Sequence, residues 1–297
     1  MRKGVKSSLL LILMIFVTSV NSTEKNSKSA AFYYGPDIPW VELSLFDYAV
    51  IEPDQTKQAP VGNHVYAYIS IGEVVPTRHY FSKIKKPWLI GKNKAWQAYV
   101  LDQSQEQMRD FYIEHVITPL WQRGFRRFFM DTLDSYRLVK GQPESYYQAQ
   151  RDGIVDLVHS IQTKYPEVRF ITNRGFELLP SIAPLVDAVA IESLYQSWDN
   201  VEQEFRQIGD SDRLWILNKL DEAKKLGLDT ISIDYAPLEA RDEARTIAKK
   251  IADAGVIPWV TDPAISSMGV SNKEIIPRKV LLLYGGSQES HWELSNA

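Results

Sequence analysis

The chain has 297 residues, 44% of them hydrophobic and 24% charged, with a formal net charge of −3 and no cysteine. That composition is ordinary for a globular protein with one sizeable core, arranged as one large domain or two small ones. It excludes disulfides and a thiol nucleophile, and no nucleic-acid partner is expected of a chain with this acidic balance.

At the N-terminus Arg2, Lys3 and Lys6 precede an apolar run from Leu9 to Val17, followed by the small and polar residues Thr18 to Ser22. Residues 1–22 read as a secretory signal with its cleavage site near Ser22. The apolar run is well short of the roughly 20 residues of a spanning helix, so a secreted or periplasmic protein with no lasting membrane anchor is expected. Removing the segment takes away three positive charges and moves the balance from −3 to −6. Residues 23–30 are polar and lysine-bearing, and read as a flexible leader.

From Ala31 onward, short apolar or β-branched runs end in a polar residue and mostly alternate with segments of helical spacing. The runs are Ala31 to Gly35, Tyr48 to Asp54, Val65 to Glu73, Arg126 to Asp131, Arg169 to Arg174, Ala188 to Ser193, Thr230 to Tyr235 and Val256 to Asp262. After the third, Asp102 can cap a helix with Gln105 in the reciprocal position, and Met108, Phe111, Tyr112, His115, Val116 and Leu120 fall on one face, with a kink expected at Pro119. Ser145 to Tyr165 has helical spacing before Pro166, and Asp212 to Gly227 and Pro237 to Gly255 both close on glycine. Trp40 to Asp47 is too short for more than about two turns. Strand and helix alternating eight times predict a single-domain α/β fold, a (β/α)8 TIM barrel over residues 31–286. The rival, a doubly wound open sheet, lacks the glycine-rich phosphate loop expected after its first strand. Residues 275–284 read as a short extra C-terminal strand, and residues 287–297 as a disordered tail; a monomer is expected.

The chemistry is placed by the stretch Phe128 to Tyr136, an apolar strand that stops on Asp131 and opens into a polar loop. Asp131 there either caps the next helix or stands at the sheet's carboxyl edge, where α/β folds carry their sites. Read together, Glu52, Glu73, Asp131, Asn173, Glu192, Asp234 and Asp262 all sit at or near predicted strand ends, and Asp134 lies just beyond Asp131. In a barrel these line one acidic mouth. Strand parity puts Glu192 on the face of Ala188 and Ala190, and Asp234 on that of Ser232, so both are expected to point inward. Tyr34, Tyr136, Tyr195, Trp198 and Tyr235 gather at the same ends, and flat rings beside carboxylates suit a sugar. Trp259 reads as core.

The five histidines lie away from the strand ends, so neither a metal nor another cofactor is expected. The absence of a Gly-x-Ser-x-Gly elbow weakens a serine hydrolase. Carboxylates without histidine or thiol point to glycoside hydrolysis, which needs one acid for the leaving oxygen and one carboxylate for the sugar carbon or its water. A non-catalytic carbohydrate-binding barrel assisting polysaccharide export uses the same mouth and remains the alternative.

Tyr34 to Trp40, Tyr68 to Glu73, Gly124-Phe125 with Met130 to Tyr136, and Ile191-Glu192-Ser193 together resemble the glycoside hydrolase family 114 type domain. That group includes endo-α-1,4-polygalactosaminidases and the hydrolase domain of the Pel exopolysaccharide modification protein. The resemblance implies a (β/α)8 barrel acting on α-1,4-linked galactosamine or N-acetylgalactosamine polymers, with Asp131 and Glu192 as the catalytic pair.

Overall fold

Eight runs of apolar and β-branched residues are buried on both faces and pair side by side in one parallel sheet, as such runs must when helices cover the outside. The computed structural model describes residues 28–276, Val61 and Asn63 excepted. In chain order the elements are β1 (Ala30–Tyr33), α1 (Trp40–Leu43), β2 (Tyr48–Ile51), β3 (Val65–Ser70), β4 (Glu73–Val74), β5 (Leu89–Asn93), β6 (Ala98–Leu101), α2 (Glu106–Tyr112), α3 (Thr118–Gln122) and β7 (Arg127–Asp131). There follow α4 (Glu144–Lys164), β8 (Arg169–Asn173), α5 (Leu179–Ile182), β9 (Val186–Ile191), β10 (Gln196–Asp199), β11 (Glu204–Gln207), α6 (Asp210–Lys225), β12 (Asp229–Tyr235), α7 (Arg241–Asp253) and β13 (Ile257–Thr261). The sheet runs β1-β2-β3-β7-β8-β9-β12-β13, and β13 returns against β1 so that the sheet nearly closes. This is the expected (β/α)8 barrel.

All eight expected strands form, within a few residues of their sequence limits. The largest differences are in the second and third, which end at Ile51 rather than Asp54 and at Ser70 rather than Glu73. Glu73 belongs instead to β4, at the edge of an antiparallel sheet with β6 and β5. This sheet and the β10–β11 hairpin rise beyond β3 and β9, and neither is visible in the helical spacing. The expected helix after Asp102 begins later. Asp102 takes the Ser104 N–H and hydroxyl, not a helix amide, and Gln105 occupies the N-cap position with its side chain donating to Asp102 at 3.2 Å rather than capping the helix. Ahead of Pro119, residues Ile113–Ile117 widen into a π turn, which separates α2 from α3 at the expected kink.

The leader is anchored where it is described. Lys28 pairs with Asp229 at 2.5 Å, Ser29 donates its N–H and hydroxyl to Asp47 at 2.8 and 2.7 Å, and Ala30 already belongs to β1. At the other end, Val270 bridges Val260 and Glu274. The expected strand 275–284 lies outside the described residues beyond Ile276, as do the signal segment and the tail. Among the described residues no helix is long and apolar enough to cross a membrane.

Register gives the barrel interior its layers. Phe129 is the middle inward residue of β7, packed edge-on to Phe32 at 5.3 Å and stacked with Tyr68 at 6.1 Å between ring centroids. Below it Arg127, Arg169, Tyr66 and Asp187 close the N-terminal end: Asp187 accepts from Tyr66 at 2.6 Å, Arg127 at 2.6 Å and Arg169 at 2.9 Å. Asp187 reaches inward because the β8–β9 register shifts there, leaving one extra residue in β9. The shift also restores the parity that turns Ala188, Ala190 and then Glu192 toward the axis. Above Phe129 lies Asp131. Removing Asp187 leaves two guanidinium groups and a phenol without their acceptor. Because the cluster is partly wet, Asp187→Ala is expected to cost about 2–3 kcal/mol rather than the full price of a buried pair. Urea unfolding reads that loss.

Candidate active site

Three strands deliver three side chains to one point. Asp131 ends β7, Asn173 ends β8 in the next position, and Glu192 follows β9 by one residue. Directly after Asp131 and Asn173 the backbone turns left-handed, with φ of +63° at Thr132 and +55° at Arg174. Such conformations cost non-glycine residues about 1–3 kcal/mol each and persist only where their surroundings hold them. The Thr132 turn is held by Gly72, whose N–H donates to the Thr132 hydroxyl at 2.9 Å. A Cβ at Gly72 would lie 2.1 Å from the Thr132 carbonyl oxygen, so only glycine permits this approach.

Asp131 accepts from the Tyr68 hydroxyl at 2.7 Å, the Thr132 N–H at 2.7 Å and Asn173 Nδ2 at 2.9 Å. Glu192 accepts from the same Nδ2 at 3.0 Å and from the Tyr235 hydroxyl at 2.6 Å. The Arg174 guanidinium donates to the Glu192 carbonyl at 2.5 Å. Because one nitrogen touches Asp131 Oδ1 and Glu192 Oε1, these oxygens cannot be more than 5.9 Å apart, the sum of the 2.9 and 3.0 Å legs. The divergent N–H bonds of a planar amide put them at roughly 5 Å.

Burial dominates the electrostatics. It pushes the Asp131 carboxyl above its ordinary range, against the pull of Tyr68, Thr132 and Asn173, and the nearby Asp134 charge adds to the rise. Burial likewise raises Glu192, followed by the charge of Asp131, while Tyr235, Asn173 and Arg174 pull it down. Tyr34, packed edge-on to Tyr68 at 5.2 Å, is held protonated by burial and by the charges of Asp131, Glu192 and Glu52. The phenols of Tyr68 and Tyr235 are raised for the same reasons and act as donors.

Of the residues read from the sequence, the structure therefore brings together Asp131, Glu192, Asn173, Tyr34 and Tyr235, with Asp134 exposed just beyond. The others have different surroundings. Asp234 is fully buried and, contrary to the parity reading, faces outward, because its neighbour Tyr235 is the residue that meets Glu192. It accepts from the N–H groups of Leu194, Tyr195 and Gln196 at 3.1, 2.6 and 2.7 Å and from the Ser232 hydroxyl at 2.5 Å, which ties the segment after Glu192 to β12. Tyr195 also turns outward and donates to the Lys250 carbonyl of α7 at 3.3 Å. Asp262 folds the loop after β13 by accepting from the N–H groups of Ala264 and Ser267, both at 2.9 Å. Glu73 is buried and accepts from Ser135 at 2.6 Å and Asn93 at 3.0 Å. Tyr136 is packed under its loop beside Tyr147. Trp198, on β10, is half-buried with its ring 4.8 Å from Phe205.

Glu52 is neutralised. Arg78 donates to both of its oxygens at 2.8 and 2.7 Å and lies over the Tyr68 ring at 5.9 Å. Arg78, Arg174 and Tyr68 are the site residues that sequence reasoning missed. Tyr68 was recoverable, because it shares parity with Ser70 on a strand paired with β7. The arginines lie in loops without periodicity. Among the described residues no group of three or more histidines and carboxylates is placed to hold a metal.

The sequence profile of glycoside-hydrolase family GH114 matches residues 18–276. Among solved structures, the chain is similar to the glycoside hydrolase domain of PelA from Pseudomonas aeruginosa, with 32% identity and a TM-score of 0.74 over 82% of this chain and 98% of that domain. A variant of the same domain gives 32% identity and a TM-score of 0.73 over the same shares. Ega3 of Aspergillus fumigatus, in complex with galactosamine, shares the fold at 12% identity and a TM-score of 0.57, over 82% of this chain and 94% of that one. No match among curated proteins is found.

The raised carboxyls make the site a cost to the fold. A carboxyl whose folded-state pKa exceeds its unfolded value keeps its full stability only below the unfolded value, near pH 4, and loses it as pH rises through the folded value. Asp131→Asn and Glu192→Gln remove that loss, and the hydroxyls of Tyr68 and Tyr235 can turn to accept from the new amides. Each variant is expected to melt about 2–4 °C higher than the parent at pH 7 for every kcal/mol relieved, with the gain vanishing near pH 3.5 in thermal scans.

Proposed function

The chain belongs to glycoside-hydrolase family GH114, and from that membership and its carboxylate pair we propose that it cleaves α-1,4-linked galactosamine and N-acetylgalactosamine polymers internally, with retention of configuration. That it is a glycoside hydrolase acting on polysaccharide follows from the family, which sets aside the non-catalytic barrel. The observation that carries the mechanism is the shared Asn173 nitrogen, which holds the two acids at a gap suited to direct attack. Retaining enzymes separate their carboxyls by about 5–5.5 Å, whereas inverting ones leave room for a water.

Asp131 is the nucleophile. Its three donors favour the ionised form and oppose the rise that burial causes. Glu192 is the acid/base, with its proton retained by burial and by the charge of Asp131. In the first step an Asp131 oxygen attacks the anomeric carbon, the glycosidic bond breaks, and the leaving oxygen takes the Glu192 proton. Water, deprotonated by Glu192, then releases the sugar from the Asp131 ester. The Tyr34 hydroxyl and the face of Trp198 are the groups assigned to contact the sugar rings.

The substrate assignment rests on the family motifs at Tyr34 to Trp40 and Met130 to Tyr136. It is supported by Asp134, an exposed carboxylate beside the pair and, among the described residues, without an ion-pair partner. Because Glu52, Glu73, Asp234 and Asp262 are all engaged within the protein, attraction for a free amine falls to fewer groups than their count suggests. Purified enzyme with partly deacetylated galactosaminan is expected to release new reducing ends, the α-anomer first by NMR; the β-anomer first rules out retention. Asp131→Asn and Glu192→Gln should lose at least about 1,000-fold in turnover while staying folded, azide should restore turnover to Glu192→Ala, and Asp134→Asn should raise KM for the deacetylated polymer more than for the acetylated one.

The charged, apolar and small-residue sequence of the first 22 residues supports export. Intact mass of the exported protein should show a start near Thr23, and a mature chain retaining Leu9 to Val17 overturns that reading.

A further inference from the structure

One amide nitrogen serves two acids. Asn173 Nδ2 has two hydrogens, and both are committed, to Asp131 Oδ1 at 2.9 Å and to Glu192 Oε1 at 3.0 Å. The carbonyl oxygen of the same amide is buried and, among the described residues, without a hydrogen-bond partner. The amide is therefore oriented through its nitrogen alone, and turning it over would set its carbonyl dipole against two carboxylates.

Resting on the acid/base and nucleophile roles given above, we propose that Asn173 is a positioning residue that holds the two acids at reacting distance and selects which oxygen of each takes part. Asp131 Oδ1 is filled by Asn173 and the Thr132 N–H, so attack falls to Oδ2, which has only the Tyr68 hydroxyl at 2.7 Å. Glu192 Oε1 faces an N–H and cannot also hold a hydrogen on that side. The acid's proton resides on Oε2, where the Tyr235 hydroxyl, 2.6 Å away, turns from donor to acceptor.

The arrangement has a consequence for the step itself. As Oδ2 forms its bond to the anomeric carbon and the leaving oxygen takes the proton from Oε2, Asp131 becomes a neutral ester and Glu192 becomes the anion. One negative charge has crossed the pair, and the shared donor is bonded to it before and after. Stabilisation that needs no reorganisation as charge moves is the form that speeds a reaction most. The other groups facing the pair are not shared in this way: Tyr68 and the Asp134 charge act on Asp131, Tyr235 and Arg174 act on Glu192, and Tyr34 faces both without a hydrogen bond to either.

The test is a set of pH titrations on the full-length mature enzyme, read both by kcat/KM on partly deacetylated galactosaminan and by carboxyl 13C NMR, with Asp131→Asn and Glu192→Gln assigning the signals. A donor to a carboxylate lowers its pKa, so its loss raises it. Tyr68→Phe is expected to raise the Asp131 titration alone, and Tyr235→Phe that of Glu192 alone. Asn173→Ala should raise both by about one pH unit, moving the whole bell to higher pH. Asn173→Ser, whose side chain is too short to reach both acids, carries the same expectation and replaces the alanine variant should that one fail to fold. If loss of the amide moves one titration or neither in a folded protein, the positioning role is overturned. A parent enzyme inactive on the galactosaminan refutes the substrate reading instead, and the NMR titration still decides the role of Asn173.

Discussion

Two carboxylates about 5 Å apart in a half-buried site repel one another, and the mouth of the barrel is organised around making that arrangement tolerable. Donors surround the pair: the Asn173 amide touches both acids, Tyr68 and Thr132 serve Asp131, and Tyr235 serves Glu192. The phenols are themselves pushed toward neutrality by the charges they face, which keeps them donors rather than competitors. The geometry depends in turn on sharp turns just past the strands, and the Thr132 turn exists because Gly72 lacks a side chain where the Thr132 carbonyl passes.

The remaining strand-end acids have a different use, although their residue types are the same. Asp234 and Asp262 bind the amides of loops that follow strands, as a short carboxylate does where backbone N–H groups lack partners. Glu73 ties β4 to the loop beyond Asp131 through Ser135. Glu52 holds Arg78 against Tyr68. Carboxylates at the mouth thus fall into the Asp131–Glu192 pair, to which we assign the reaction, and a larger set that shapes the loops around it, and only the hydrogen-bond partners distinguish them.

The two ends of the barrel divide stability from chemistry. At the N-terminal end Asp187 and Asp229 are met by Arg127, Arg169, Lys28 and two tyrosines, so their charges are neutralised where no substrate enters. At the other end the carboxyls of Asp131 and Glu192 meet only neutral donors, with Arg174 reaching Glu192 through its backbone carbonyl. Those two acids are held above their ordinary range, at a cost that the ionic end and the apolar layer between them offset.

From the sequence alone came the alternation of strands and helices, the eight-strand count, and the placement of Asp131 and Glu192 at strand ends. All of these are local: an apolar run that stops on a carboxylate, or alanines at every second position before a glutamate, is legible within a few residues. The outward turn of Asp234 was not. In a parallel sheet both faces are buried, so Thr230 to Tyr235 alternates equally well either way, and only the register with β9 and the reach of Tyr235 to Glu192 decides which face is inside. The same holds for Arg78 with Glu52, 26 positions apart, and for the Asn173 nitrogen that joins β7 to the end of β9. Periodicity records which residues share a face of one element, but a partner on another element is set by how the closed barrel brings strand ends together, and that information exists only once the chain has folded.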